Sequence, residues 1–287
     1  MSNLSGRENK DGQPVATAPL LSVEGISVRF AGVKALTDVS FHVQPGVLFA
    51  VIGPNGAGKT SLFNVFSRVY QPVAGRVTFD GRDLLQLKAY QIARAGIART
   101  FQNQGQFPTT TVLDYLLLGR HTRMRSGILL GGIYIGITRN EEKKNRAYCM
   151  HILELVGLQH VSNAPLGSLP YGLQKRADVA RALALEPKLL LLDEPVAGMS
   201  LEETEDIAAV ILDIKEQLGI TQILVEHDMA LVMGIADRIL VLDFGRVIAQ
   251  GVPAEVQANP DVIKAYLGEE FGSGVTDTLP ISTNDKL

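Results

Sequence analysis

The chain predicts an α/β fold built on a parallel sheet, and three features carry that prediction. Residues 47–53 (VLFAVIG) form a nearly continuous apolar run ending in glycine, the pattern of a strand buried on both faces. Two further runs of this kind, 189–193 (LLLLD) and 222–227 (QILVEH), follow stretches with helical periodicity. Hydrophobic strands that alternate with helices read as βαβ units, hence as a parallel sheet.

The elements follow in chain order. Residues 21–30 (LSVEGISVRF) and 38–43 alternate apolar and polar side chains and include β-branched residues, which implies antiparallel strands with one wet face. After the buried run at 47–53, residues 59–68 carry helical periodicity, and 76–81 (RVTFDG) read as strand and turn. Helical patterns recur at 88–94, 112–121, 141–156, 172–185, 201–218, 229–235 and 261–267. The helix at 201–218 opens on Ser200 and Glu203 in a Ser-x-x-Glu capping box. Residues 90–185 are largely helical with no strand-like apolar run after 101, so they read as a helical lobe inserted into the core. Residues 1–19 and 272–287 are polar and turn-rich, which predicts two disordered tails around a single domain at 20–271.

Composition excludes several classes. Of 287 residues, 46% are hydrophobic and 20% charged, which rules out wholesale disorder and a collagen-like fibre. With 27 Lys and Arg against 30 Asp and Glu, the net charge of −3 supplies no basic field for nucleic acid. Cys149 is the single cysteine, so neither an internal disulfide nor a cysteine zinc site is available; a reducing cytoplasmic setting fits, and Cys149 reads as a small buried hydrophobe. The first residues lack the apolar core of a secretory signal, and no apolar run reaches the roughly 18 residues that cross a bilayer. Residues 127–138 (GILLGGIYIGIT) are nevertheless apolar and glycine-rich, with Arg120, Arg123 and Arg125 before them and Arg139 after. They read either as an element tucked over the core or as a docking surface for a membrane-embedded partner, with the basic flanks near lipid headgroups.

The chemistry lies in four motifs. Residues 53–60 (GPNGAGKT) satisfy G-x-x-x-x-G-K-[ST] between a buried strand and a helix. The run Gly53, Pro54, Asn55, Gly56, Ala57, Gly58, Lys59 and Thr60, with Ser61 behind it, lets backbone N–H groups curl around phosphates while Lys59 reaches the terminal ones. The Thr60 hydroxyl is a Mg²⁺ ligand in such a loop. Asp193 and Glu194 end a buried strand at the carboxyl edge, where open α/β sheets bind ligands. In a nucleotide site Asp193 holds Mg²⁺ directly or through water, and Glu194 acts as general base on the attacking water; alone, such a pair often only caps a helix. His227 ends the next strand and is either a polar terminus or a contact to a γ-phosphate. Gln102, after the strand-like IARTF, could reach Mg²⁺ or the water, or be a plain loop amide.

The set as a whole resembles the ATP-binding subunit of an ABC transporter: GPNGAGKT, Gln102, LPYGLQKR at 169–176, LLLLDEP and His227, in that order, with the likeness covering residues 21–269. Four longer strings, GRHTRMRSG, LPYGLQKRADVARALALEPKLLLLDEPVAGMS, EHDMALVMGIADRILVLDFGRVIAQG and ANPDVIKAYLGEE, resemble the branched-chain amino acid type and separate it from sugar and drug transporters. They separate amino acid from urea or short-amide uptake less well. The resemblance implies a P-loop ABC ATPase core with a mixed sheet, an antiparallel β subdomain and an inserted helical subdomain. It implies ATP and Mg²⁺ as cofactors, with Phe30 stacked on adenine and two ATPs sandwiched between two ATPase subunits, this chain twice or with a homologous second one. Each ATP would lie between one subunit's phosphate loop and the other's segment around Tyr171 and Gly172. It also implies two permease subunits in the membrane, docked near Gln102 and the helical lobe, an extracytoplasmic solute-binding protein, and a peripheral position on the cytoplasmic face of the cell membrane.

The sequence departs from the family's Leu-Ser-Gly-Gly-Gln signature at Pro170, Tyr171 and Leu173. Pro170 removes the hydroxyl that would bond the γ-phosphate, so weaker contact across the dimer is expected, carried by backbone N–H groups and the helix dipole. Two other readings stand beside the importer. A soluble ABC ATPase for DNA or ribosomes would bring coiled-coil or zinc inserts or a second cassette, and a regulatory module would hold ATP without hydrolysis.

Overall fold

A computed structural model describes residues 18–30, 32–100, 107–120 and 135–272. Of the expected tails at 1–19 and 272–287, residues 1–17 and 273–287 lie outside the described residues, as do Gln102, Arg123, Arg125 and most of the apolar run.

Two sheets organise the chain. The first is four-stranded and antiparallel, in the order β2 (Val33–Val43), β1 (Leu21–Phe30), β4 (Ala74–Phe79), β5 (Arg82–Asp83). The second has six strands in the order β10 (Arg246–Gly251), β9 (Arg238–Asp243), β3 (Leu48–Ile52), β8 (Thr221–Val225), β7 (Leu189–Asp193), β6 (Ile97–Arg99). All its neighbours run parallel except β10, which returns antiparallel along β9, so the sheet is mixed. The helices are α1 (Lys59–Phe66), α2 (Ala89–Ala95), α3 (Val112–Arg120), α4 (Ile135–Leu155), α5 (Tyr171–Leu183), α6 (Leu201–Leu218), α7 (Met229–Ile235), α8 (Pro253–Gln257) and α9 (Pro260–Gly272).

The apolar strands are buried on both faces because each feeds two separate cores. In β3, Leu48, Ala50 and Ile52 face the core shared with α3 to α7, whereas Phe49 and Val51 face α1 and the antiparallel sheet. In β7, Leu190 and Leu192 take the first side and Leu189 and Leu191 the second. The period-2 side-chain alternation thus divides one apolar run between two layers.

Register then fixes the functional edge. Val225 of β8 pairs with Val51 of β3 on one side and with Asp193 of β7 on the other, so three strand ends lie in one row.

The structure departs from the sequence reading in β2, β9 and β10. β2 begins at Val33 because Asp38, at φ 54°, interrupts the alternation without ending the strand. The hairpin of β9 and β10 turns on Phe244 and Gly245, both left-handed at φ 43° and 75°. A phenylalanine there is not a recognisable turn signal, so the hairpin is invisible to turn chemistry. Arg120, for which a place near lipid headgroups was one of two readings, is buried. Its guanidinium donates to Asn145 Oδ1 at 2.8 Å and to the Ala184 carbonyl at 2.9 Å, pairs with Glu186 at 2.8 Å and lies 4.3 Å above the Tyr148 ring. It ties α3, α4 and the end of α5 together. Residues 135–138 open α4. Cys149 is buried on the same helix, and burial pushes its thiol up to about 11, as for an inert core cysteine.

Arg120→Ala leaves two buried acceptors, Asn145 Oδ1 and the Ala184 carbonyl, without their charged donor and is expected to cost about 2–3 kcal/mol in chemical denaturation. A change below about 0.5 kcal/mol would show that the lobe does not rest on this residue.

Candidate active site

The phosphate loop is shaped by two close approaches. At Gly53, φ is 148° and an added Cβ would sit 2.0 Å from the Leu242 carbonyl of β9; at Gly58, φ is 103° and the Cβ would sit 2.6 Å from the Ala35 carbonyl. Only glycine fits either position. The loop is also pinned from outside, because Gly245 N–H donates to the Ala57 carbonyl at 3.0 Å and Thr37 N–H to the Gly245 carbonyl at 2.8 Å. Gly58, as the N-cap of α1, has no side chain to occupy the first N–H groups of that helix, and its first turn holds no acid. Lys59 is buried, with Nζ donating to the carbonyls of Gly53 at 2.6 Å and Pro54 at 2.9 Å. An anion-binding end is thus assembled from backbone donors, a helix dipole and an ammonium group.

A cavity of about 280 Å³ opens on this loop. Asn55, Gly56, Lys59, Thr60 and Ser61 line it on one side and Glu194 and His227 on the other, with the start of β2 at residues 33–35 closing the rim. Glu194 and His227 meet directly, His227 Nε2 lying 3.0 Å from Glu194 Oε1. Glu194 is held at φ 47°, and its N–H donates to the Val225 carbonyl at 2.9 Å. A left-handed glutamate costs on the order of 1 kcal/mol. From this backbone position Glu194 lines the cavity.

Asp193 sits one residue earlier and is almost wholly buried. Oδ2 pairs with Arg99 Nη2 at 2.7 Å, while Oδ1 is buried without a hydrogen-bond partner. An orphaned carboxylate oxygen beside a phosphate loop suits a hard cation, so Asp193 with the exposed Thr60 hydroxyl fits Mg²⁺. Among the described residues no group of three or more His, Cys, Asp or Glu gathers here or elsewhere, so a cation here would take its remaining ligands from phosphate and water. Gln102 lies outside the described residues, but Thr100, just before it, is fastened to β7. Its N–H donates to the Leu191 carbonyl at 3.0 Å and its hydroxyl accepts from Asp193 N–H at 3.1 Å.

The other expected residues stand apart from the cavity. Phe30 ends β1, is 41% exposed and meets Tyr70 edge-on at 4.4 Å; its register partner, Val33, lines the rim. Tyr171 and Gly172 open α5 and do not line the cavity. The Tyr171 hydroxyl donates to the Ala197 carbonyl at 3.2 Å.

Two supporting residues carried no sequence signal. Arg99 of β6, besides Asp193, donates to Asn64 Oδ1 at 2.8 Å and Ser67 Oγ at 3.2 Å, linking α1 to the acid. Glu226 is buried behind the cavity, where Oε1 accepts Val196 N–H at 2.9 Å and Oε2 accepts His227 N–H at 3.1 Å. One carboxylate thus holds the loop after Glu194 and the backbone of His227 together. Burial raises its pKa, opposed by the two N–H donors. Only partner-level geometry could reveal either role. Glu226→Gln puts an amide N–H₂ against one of those donors, so a loss of about 1–3 kcal/mol in urea unfolding is expected, and unaltered stability would refute the bracing role.

Comparison with known proteins gives a consistent answer. The family model described as ABC transporter matches residues 36–197, and that described as branched-chain amino acid ATP-binding cassette transporter matches 246–272. The high-affinity branched-chain amino acid transport ATP-binding protein BraF of Pseudomonas aeruginosa is 41% identical over 251 residues, covering 88% of this chain and 98% of its own. Its counterpart LivG of Escherichia coli is 39% identical over the same shares. Among solved structures, the ADP conformation of MJ1267, an ATP-binding cassette of an ABC transporter, superposes with a TM-score of 0.77 at 32% identity, covering 88% of this chain and 100% of that one. The dimeric post-hydrolysis state of the cassette MJ0796, bound to ADP and Pi, shares the fold at 23% identity and a TM-score of 0.66, covering 81% of this chain and 98% of that one. With a phosphate loop, Glu194 and His227 converging on one cavity and Asp193 at the adjacent strand end, the chain belongs to the ATP-binding subunits of ABC transporters.

Proposed function

We propose that the chain hydrolyses ATP at this cavity and thereby powers import of branched-chain amino acids through separate permease subunits. The contact between His227 and Glu194 at the mouth of the phosphate-loop cavity carries the catalytic part of this reading. The backbone N–H groups of residues 54–60 and Lys59 take the β- and γ-phosphates, Lys59 exchanging its loop carbonyls for phosphate oxygens. When bound, Mg²⁺ neutralises charge on those oxygens, with Thr60, Asp193 and Gln102 as the residues that would hold it. Glu194 accepts a proton from a water whose oxygen bonds to the γ-phosphorus. The bond from that phosphorus to the β–γ bridging oxygen breaks, leaving ADP and inorganic phosphate. His227 holds Glu194 through Nε2, and when ATP binds that N–H passes to the γ-phosphate, so its loop registers loss of that group. Phe30 packs on adenine at the rim.

The substrate of transport rests on the relatives, which carry branched-chain amino acid transport in their names, and on the matching C-terminal family segment at 246–272. Among the described residues no helix is long and apolar enough to cross a membrane, so transport requires partners that do. These are two permease subunits, with the chain peripheral on the cytoplasmic face and an extracytoplasmic solute-binding protein delivering the amino acid. A second cassette, this chain or a homologue, completes two ATP sites, each facing the Tyr171 and Gly172 end of the other subunit. No nucleic acid partner is included. Residues 20–271 act as one domain, with the block at 90–185 as the lobe that meets the permeases.

Glu194→Gln is expected to lower kcat about 100-fold or more with ATP affinity retained, measured by phosphate release and by equilibrium nucleotide binding. Lys59→Ala is expected to weaken nucleotide binding about tenfold or more. In cells lacking the protein, labelled leucine uptake should return with the wild type and not with Glu194→Gln. Return of urea or short-amide uptake alone would keep the ATPase and overturn the substrate.

A further inference from the structure

The N-terminal end of α5 is unusual in this chain. Its N-cap is Pro170, which offers no side-chain acceptor, and no acid lies in its own first turn. A neighbouring helix supplies the missing anion. Glu203, in the first turn of α6, packs so closely that a Cβ on Gly172 would lie 2.7 Å from Oε1. The same carboxylate accepts Ser200 N–H at 3.0 Å, and the Ser200 hydroxyl lies 3.2 Å from it. These contacts, led by the Ser200 backbone bond, hold its pKa below the ordinary value, so Glu203 is charged at neutral pH. Of the nearby cations, Arg176 pairs with Asp206 while its charge also favours the ionised Glu203, and Lys175 lies 5.5 Å from the Tyr171 ring.

We infer that Glu203 is a built-in anion at the end of α5 that a partner subunit's γ-phosphate must face, making it a positioning residue that restrains ATP-driven closure. This rests on the reading above, in which the partner's ATP meets Tyr171 and Gly172. The carboxylate replaces the cap that Pro170 cannot provide, and it ties α5 to the loop at 196–200 that leads into α6. The same charge repels the incoming phosphate, so closure has to displace or out-compete it. Pro170 and Glu203 together thus set a higher ATP requirement for pairing than a neutral cap would.

The test is ATP-driven dimerisation of the full chain by sedimentation, in a Glu194→Gln background that prevents turnover. Glu203→Gln, which removes the charge but keeps an acceptor for the backbone, is expected to lower the ATP concentration for half-maximal dimer by about fivefold, the gap narrowing as salt screens the repulsion. Glu203→Asp, with its carboxylate drawn back from Gly172, should move it the same way by less. Glu202→Gln, an equal charge change one residue away, should leave it in place. Binding of ADP by each monomer checks that the variants are folded. An unchanged or higher ATP requirement in Glu203→Gln overturns the restraint alone. Absence of an ATP-driven dimer in every variant, including the parent, overturns the shared-ATP reading with it.

Discussion

Backbone register across three parallel strands is the constraint on which the site depends. Val51, Val225 and Asp193 stand in one row, and each strand ends within a few residues of it. Gly53 and its loop, the pair Asp193 and Glu194, and His227 therefore emerge at one edge, where the side chains of Glu194 and His227 meet. A slip of one residue in β8 would invert its faces, moving Leu224 and Val225 between cores and carrying His227 away from Glu194. The two-sided burial of β3, β7 and β8 makes such slips costly, so the apolar packing that stabilises the fold also holds the chemistry in place.

Around that edge, the structure spends polar contacts on keeping strained and charged groups in place. Glu194 is held left-handed by its bond to Val225, and Glu226 braces the backbone on either side of the cavity. Asp193 is given one partner, Arg99, and keeps one oxygen unpartnered. Full satisfaction of that carboxylate by the protein would close it to a cation. The helical lobe is cross-tied in the same manner by Arg120, whose buried fork joins three helices without reaching the cavity.

Much of this was legible in the sequence, and what was not has identifiable physical causes. The phosphate loop announces itself because its glycines are required by hard contacts, at Gly53 against Leu242 and at Gly58 against Ala35. Two-sided burial made β3, β7 and β8 readable as continuous apolar runs. β9 has a similar run, but its hairpin turns on a left-handed phenylalanine, a choice that packing permits and propensity does not foresee. Arg99, Glu226 and Glu203 were illegible as site residues because their roles lie in partners distant in sequence: Arg99 finds Asp193, Glu226 finds Val196, and Glu203 finds Gly172. The place of Arg120 stayed open in the sequence for a related reason. Its sequence neighbours are basic and apolar, while its spatial neighbours are Asn145, Tyr148 and Glu186.

The most direct measurement is a crystal structure of the full chain with Mg²⁺ and a non-hydrolysable ATP analogue. Convergence of the strand ends on one reaction centre requires the γ-phosphate within hydrogen-bond distance of Lys59 and His227, the cation on Thr60 and the free oxygen of Asp193, and a water between Glu194 and the γ-phosphorus. A nucleotide bound with its γ-phosphate away from His227, or a cation that leaves Asp193 paired only with Arg99, would contradict it.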